Sequence, residues 1–296
     1  MSKLVTMAQA VEHFVPDGSK LALGTGLEAC IPFAAGHELI RQKRKDLNLV
    51  GPISDSLFDQ LIGAGCVAAV TAAWVGNVSE GLGHCYRRAA EKGHPRPIEV
   101  RDHSNFSISL ALWAAAWNVP SLPTRTLLGS DILETNPGLS IRDGLVDVAA
   151  VKPDVTLIHV QRADAQGRAH SWGPLGITEE AALAADRVIV SCEELVDAAI
   201  TLSDPNRILV AETKVVAVVH QPGGAHPSPV QGFFKRDHAF YAEYGKRSRT
   251  AGGFDEWLEQ WVLQIPDRAT YLTKIDTEAL RVKHHLPSAP ADFGYE

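Results

Sequence analysis

The run Pro222-Gly223-Gly224-Ala225-His226-Pro227-Ser228 sets one imidazole among two glycines and two prolines. No helix interior or central strand tolerates that composition. It follows the β-branched run Val215 to Val219 and precedes Arg236, Asp237, Phe240, Tyr241 and Tyr244, so a buried strand leads through a tight loop into an aromatic-faced helix. Taken alone this is a structural turn, and its paired glycines imply backbone angles closed to other residues. Gly24-Thr25-Gly26 lacks the third glycine of a dinucleotide fingerprint, since Cys30 and Ile31 follow. It reads either as a tight turn or as two backbone amides that can approach a carbonyl oxygen, as an oxyanion hole does. Gly76-Asn77 closes another strand, and Asp102-His103-Ser104-Asn105 offers acid, imidazole, hydroxyl and amide within four residues. Adjacent residues rarely converge on one reacting atom, so Ser104 and Asn105 read equally as helix caps or substrate contacts. Glu193 and Glu194, after an apolar strand, read as a base or nucleophile or as acids at a helix N-terminus. Arg101 and Arg125, near strand ends, can pair with a carboxylate or simply be surface cations.

Several chemistries lose their usual support. The chain has no G-x-S-x-G elbow, no P-loop and no H-E-x-x-H pair. Its twelve histidines form no closed ligand set: His84 adjoins Cys85, His220 and His226 straddle the Pro-Gly-Gly turn, and His284-His285 lies near the C-terminus. Neither a metal nor a resident cofactor is expected. Trp113 and Trp117, four apart on an alanine-rich stretch, read as core or interface packing. Cys30, Cys66, Cys85 and Cys192 are widely spaced and read as free thiols of a reducing cytoplasm. No apolar run reaches the roughly 18 residues that span a bilayer, and the N-terminus lacks a signal-peptide core. The formal net charge is -7, and the basic run Arg41 to Lys45 falls at a helix end. Neither nucleic-acid nor membrane binding is supported.

The elements that position these residues alternate regularly. Lys20 to Leu23, Leu47 to Val50, Val67 to Trp74, Ile98 to Val100, Val155 to Val160 and Arg187 to Ser191 read as strands. Pro32 to Arg41, Ser56 to Ile62, Gly83 to Lys92, Phe106 to Trp117 and Thr178 to Ala185 read as helices. Short apolar strands spaced by helices imply βαβ crossovers, hence an α/β fold with a mainly parallel open sheet covered on both faces. Ligands in such sheets settle at the carboxyl ends of strands, where Gly24, Gly26, Gly76, Asn77, Ser104 and Asn105 fall. With 45% hydrophobic residues, no repeat and no linker, residues 1–275 read as one domain and 276–296 as a tail, poorly ordered from His284.

Together, Gly24-x-Gly26, Ile31-Pro32-Phe33-Ala34-Ala35-Gly36-His37-Glu38, Asp59 to Cys66, Pro222 to Ser228, Arg236-Asp237 and Phe240-Tyr241 resemble the A subunits of the class I CoA-transferases. Within that family the chain looks most like the 3-oxoadipate and glutaconate A subunits, from about residue 5 to residue 263. The resemblance implies the NagB/RpiA-like α/β fold of that family and a ping-pong transfer of CoA between an acyl-CoA and a small carboxylic acid. CoA is then a substrate, and the intermediate is a glutamyl thioester on the B subunit, in an α2β2 or larger assembly. The family's Ser-Glu-Asn/His-Gly nucleophile motif is absent here, so no catalytic residue is expected in this chain and Glu28, Glu193 and Glu194 keep structural readings. Gly24, Gly26, Gly76, Asn77, Ser104 and Asn105 become candidates for substrate or CoA contact; Gly223, Gly224 and His226 form a structural loop. A hydrolase branch of the family places an acid where Asn105 stands, and an amide cannot act as a general base. Two alternatives stay open: a CoA-thioester or ring-opening hydrolase subunit, and a non-catalytic effector-binding α/β protein.

Overall fold

The computed structural model describes residues 2–282. The tail expected to be poorly ordered from His284 lies outside the described residues. Residues 276–282, assigned to that tail, carry the short helix Thr277–Leu280, capped by the Asp276 side chain on the Ala279 N–H. The segment returns to the body through Lys235 N–H on Leu280 O and Val282 N–H on Phe233 O.

A sheet with seven parallel strands organises the chain, in the order Val215–His220, Arg187–Leu195, Val155–Ala163, Lys20–Leu23, Leu47–Gly51, Val67–Ala72, Glu99–Asp102. The first four strands in sequence build outward in one direction and the last three in the other. The order therefore reverses between Lys20–Leu23 and Val155–Ala163, and in open α/β sheets such a reversal opens the ligand crevice. Alternate residues feed opposite faces: Leu21 and Leu23 enter a core with the helices Phe33–Arg41 and Asp55–Gly63, while Ala22 faces the helix Asn105–Ala116. Burial on both faces makes the inner strands mainly apolar, whereas the edge strand Glu99–Asp102 is polar and partly exposed.

Two features depart from the expected layout. Ser121–Thr124, Leu139–Arg142 and Leu145–Ala149 pair as a three-stranded antiparallel sheet after the helix Asn105–Ala116. The strand Arg187–Leu195 runs through Glu193 and Glu194, so these acids belong to a strand and not to a helix N-terminus. A cluster of Phe240, Tyr244, Phe254, Trp257, Trp261 and Tyr271 seals one face, with edge-to-face pairs such as Phe240–Trp261 at 4.9 Å and Tyr244–Trp257 at 4.8 Å. Trp113 and Trp117 pair with each other at 5.5 Å, but Trp117 is 61% exposed and no core residue. No helix among the described residues is long and apolar enough to cross a membrane.

Candidate functional site

The crevice at the strand reversal is built by the loop after Leu23 and the segment 173–178. Gly24 has φ +64°, and an added Cβ would stand 2.7 Å from Ser54 Cβ. A Cβ on Gly26 would run into Ala29 O, and one on Gly176 into Thr25 O. Ile177 N–H donates to Thr25 O at 2.9 Å, and the hydroxyls of Thr25 and Thr178 lie 2.8 Å apart. Close packing of two backbones thus accounts for these glycines within the protein itself. Leu27, Cys30, Ser54 and Asp55 all have positive φ, which concentrates backbone strain at the carboxyl ends of the first two strands.

Beside this crevice the loop Pro222 to Ser228 is clamped onto a buried polar network. His159 Nε2 donates to Glu193 Oε1 at 2.8 Å, and its Nδ1 lies 3.0 Å from Ser191 Oγ. Glu193 Oε2 accepts the Gly223 N–H at 2.7 Å, so both carboxylate oxygens are engaged and the side chain is buried. Arg268, also buried, donates to Gly223 O at 2.8 Å and His226 O at 2.6 Å while its guanidinium stacks on Tyr271 at 3.9 Å. His226 Nε2 donates to Asp237 Oδ2 at 3.1 Å, and Nδ1 accepts from the Tyr271 hydroxyl at 3.0 Å. Burial lowers the His226 pKa despite Asp237, which matches this neutral tautomer. Gly223 has φ +64°, but Gly224 does not share the left-handed angle expected of both glycines. Gly224 is a glycine for space: a Cβ would meet Gln221 O at 2.8 Å and His159 Cε1 at 2.9 Å.

The remaining candidates separate cleanly. A Cβ on Gly76 would strike the Trp74 ring at 2.5 Å. Asn77 is buried, with Nδ2 donating to Tyr241 O at 2.8 Å and Oδ1 accepting from Ser79 N–H at 3.1 Å, so its amide is spent inside the protein. Ser104 is the N-cap, its hydroxyl accepting from Ser107 N–H at 3.0 Å. Asn105 follows as the first helical residue, exposed and with no side-chain hydrogen bond to the described residues, beside Phe106, itself 52% exposed. Of these side chains Asn105 alone is free to meet a ligand. Glu28 and Glu194 are exposed, Arg125 is exposed without an ion pair among the described residues, and Arg101 is held by Glu99 at 2.8 Å. Among the described residues no group of three His, Cys, Asp or Glu is placed to hold a metal ion.

Sequence reasoning missed two buried elements. His159 is an imidazole inside the mainly apolar run Val155 to Val160, which is the signal that marks it. Asp55, fully buried, pairs with Arg236 at 2.6 Å and accepts Val78 N–H at 3.0 Å, while Arg236 stacks on Tyr241 at 3.9 Å. No local pattern announces Asp55. The stretch around His37 proves to be packing: His37 is buried with Nε2 3.1 Å from Gln60 Oε1, and Glu38 pairs with Arg41 at 2.7 Å.

The family model for Coenzyme A transferase matches residues 4–221. The chain belongs to the CoA-transferase family. It is 40% identical to the A subunit of 3-oxoadipate CoA-transferase from Pseudomonas knackmussii over 282 residues, covering 93% of this chain and 99% of that one. It is 30% identical to the A subunit of glutaconate CoA-transferase from Acidaminococcus fermentans, covering 95% and 94%. The crystal structure of that glutaconate CoA-transferase superposes with a TM-score of 0.87 over the whole of both chains, at 29% identity. A more distant likeness, 27% over 180 residues, links 56% of this CoA-transferase chain to 62% of the cholesterol ring-cleaving hydrolase IpdA subunit of Mycobacterium tuberculosis.

Proposed function

We propose that the chain is the A subunit of a two-subunit CoA-transferase that moves CoA between an acyl-CoA and a small 3-oxo or dicarboxylic acid. The end-to-end likeness to the 3-oxoadipate A subunit carries this reading. The nucleophile is a glutamate of the partner subunit. The engagement of both Glu193 oxygens inside this chain supports that assignment, because a carboxylate held by His159 and Gly223 is not free to attack a thioester. Attack on a thioester builds negative charge on a carbonyl oxygen, and a backbone donor aimed at it contributes about 3–4 kcal/mol. The strained loops at the strand reversal are the elements of this chain suited to such a wall. The four free cysteines fit work in a reducing cytoplasm. Asn105 favours transfer over hydrolysis, since no carboxylate stands there to activate water.

The test is reconstitution. The purified chain alone is expected to show no CoA transfer, and adding the partner restores it, with hydroxylamine-sensitive CoA trapped on the partner. Turnover by the chain alone, or a thioester mapped to Glu28, Glu193 or Glu194, overturns the assignment.

A further inference from the structure

A cavity of about 250 Å3 lies between the central sheet and the antiparallel sheet, lined in part by Lys20, Thr71, Arg101 and His103. The turn holding Asn136 and Gly138 completes its wall. Thr71 is 6% exposed and His103 4%, yet the Thr71 hydroxyl meets no partner among the described residues. His103 spends Nδ1 on Ser107 Oγ at 3.0 Å and leaves Nε2 without one. Neither atom is shut off from solvent, so both are open at the cavity to pair with a ligand.

The charges around the cavity narrow its chemistry. The Lys20 ammonium makes no ion pair or hydrogen bond with the described residues; its backbone N–H donates to Asp154 Oδ2 at 2.7 Å and its carbonyl accepts the Asp154 N–H at 2.8 Å. Arg101 holds Glu99 through Nε at 2.8 Å and Nη2 at 2.9 Å, which offsets its charge. Burial pushes the His103 pKa down to about 4, so its imidazole acts by hydrogen bonding and not by charge. Of the cations lining the cavity, Lys20 is the one without an ion-pair partner among the described residues, and a single such ammonium suits one carboxylate rather than a phosphate dianion. The wall is fixed beforehand: Asn136 Nδ2 donates to Asp102 O at 2.7 Å, and Oδ1 accepts Gly138 N–H at 2.8 Å.

We propose that this cavity binds a small carboxylate, whose oxygens pair with Thr71 and His103 and whose charge is met by Lys20. The site is read on the chain itself, without CoA or a partner, so it stands or falls separately from the transferase reading. The experiment titrates propionate into the full chain and follows the His103 imidazole signals by NMR, with inorganic phosphate as the second probe. Propionate is expected to give a saturable shift at millimolar concentration. Thr71→Val and Lys20→Gln are each expected to raise its Kd about fivefold or more, the scale of one lost hydrogen bond or charge contact. Lys20→Gln, at the cavity rim, guards against a folding defect in the Thr71 variant. No saturable shift, or unchanged affinity in both variants, overturns the site. Phosphate binding about tenfold more tightly than propionate would overturn the carboxylate assignment.

Discussion

A methyl group at Gly224 would press on Gln221 O and on the His159 ring, both held by hydrogen bonds of their own. Gly224→Ala is therefore expected to cost about 1–3 kcal/mol in urea denaturation, the range for overpacking a fixed core. At Gly223 the nearest atoms belong to the flexible Leu272 side chain, so the cost of Gly223→Ala is the left-handed angle, about 1–2 kcal/mol. A Gly224→Ala protein as stable as the parent would show that the loop yields. Both ring nitrogens of His226 are bonded inside the protein. His226→Ala strands the buried Tyr271 hydroxyl and half-buried Asp237, and is expected to cost about 2 kcal/mol or more. Asn105 behaves in the opposite way. Because it is exposed and unbonded, Asn105→Ala is expected to leave stability within about 0.5 kcal/mol of the parent. In the assembled enzyme it is expected to lower kcat/KM about tenfold, the scale of one hydrogen bond to substrate. Unchanged kinetics would remove Asn105 from the site. Asn105→Asp is the sharper probe, since release of free CoA without an acceptor would show that a single base converts transfer to hydrolysis.

At the scale of elements, the ion pair of Asp55 and Arg236 joins the start of the helix Asp55–Gly63 to the turn at Val78 and to the approach of the helix His238–Arg247. Arg236→Met leaves a carboxylate buried without its partner and is expected to cost about 3–5 kcal/mol, while Asp55→Asn with Arg236→Met recovers part of the loss. Losses of the Asp55→Asn and Arg236→Met variants that simply add in the double variant would show that the pair carries no coupling. This tie was invisible in the sequence because its partners lie far apart in the chain and neither sits in a repeating pattern. The strands Lys20–Leu23, Leu47–Gly51 and Val67–Ala72 were legible for the opposite reason: burial on both faces writes a mainly apolar run. Ser121–Thr124 and Leu139–Arg142 were not, because they are short and half-exposed and contain a proline and four polar residues that resemble loop. The Pro222 to Ser228 stretch was legible as a rigid turn from its glycines and prolines. What it rests on, the His159–Glu193 pair, depends on a parallel register set by two strands over thirty residues apart, which no local spacing encodes.

For the whole molecule, buried imidazoles tie stability to pH. His37, His103, His170 and His226 are buried, and burial lowers each pKa, with His103 reaching about 4. In the unfolded chain each would take up a proton near its ordinary value of about 6.5. Below that pH the unfolded state binds more protons than the folded one, so folding stability falls as the pH falls. The contribution of His103 is fully present above about 6.5 and is lost progressively down to about 4. Asp59 acts in the opposite sense, because burial raises its pKa and its protonation eases the folded state as acid is added. Four histidines outweigh one carboxyl through this window, so the urea midpoint is expected to be flat above pH 7 and to drop between pH 6.5 and 4. His103→Gln removes one of the four and is expected to reduce the slope by up to about 1.4 kcal/mol per pH unit, the linkage for one proton. The measurement belongs in buffers free of carboxylates, since a ligand bound beside His103 would add its own stabilisation. A slope unchanged by His103→Gln would mean that this imidazole takes up its proton in the folded protein as readily as in the unfolded chain.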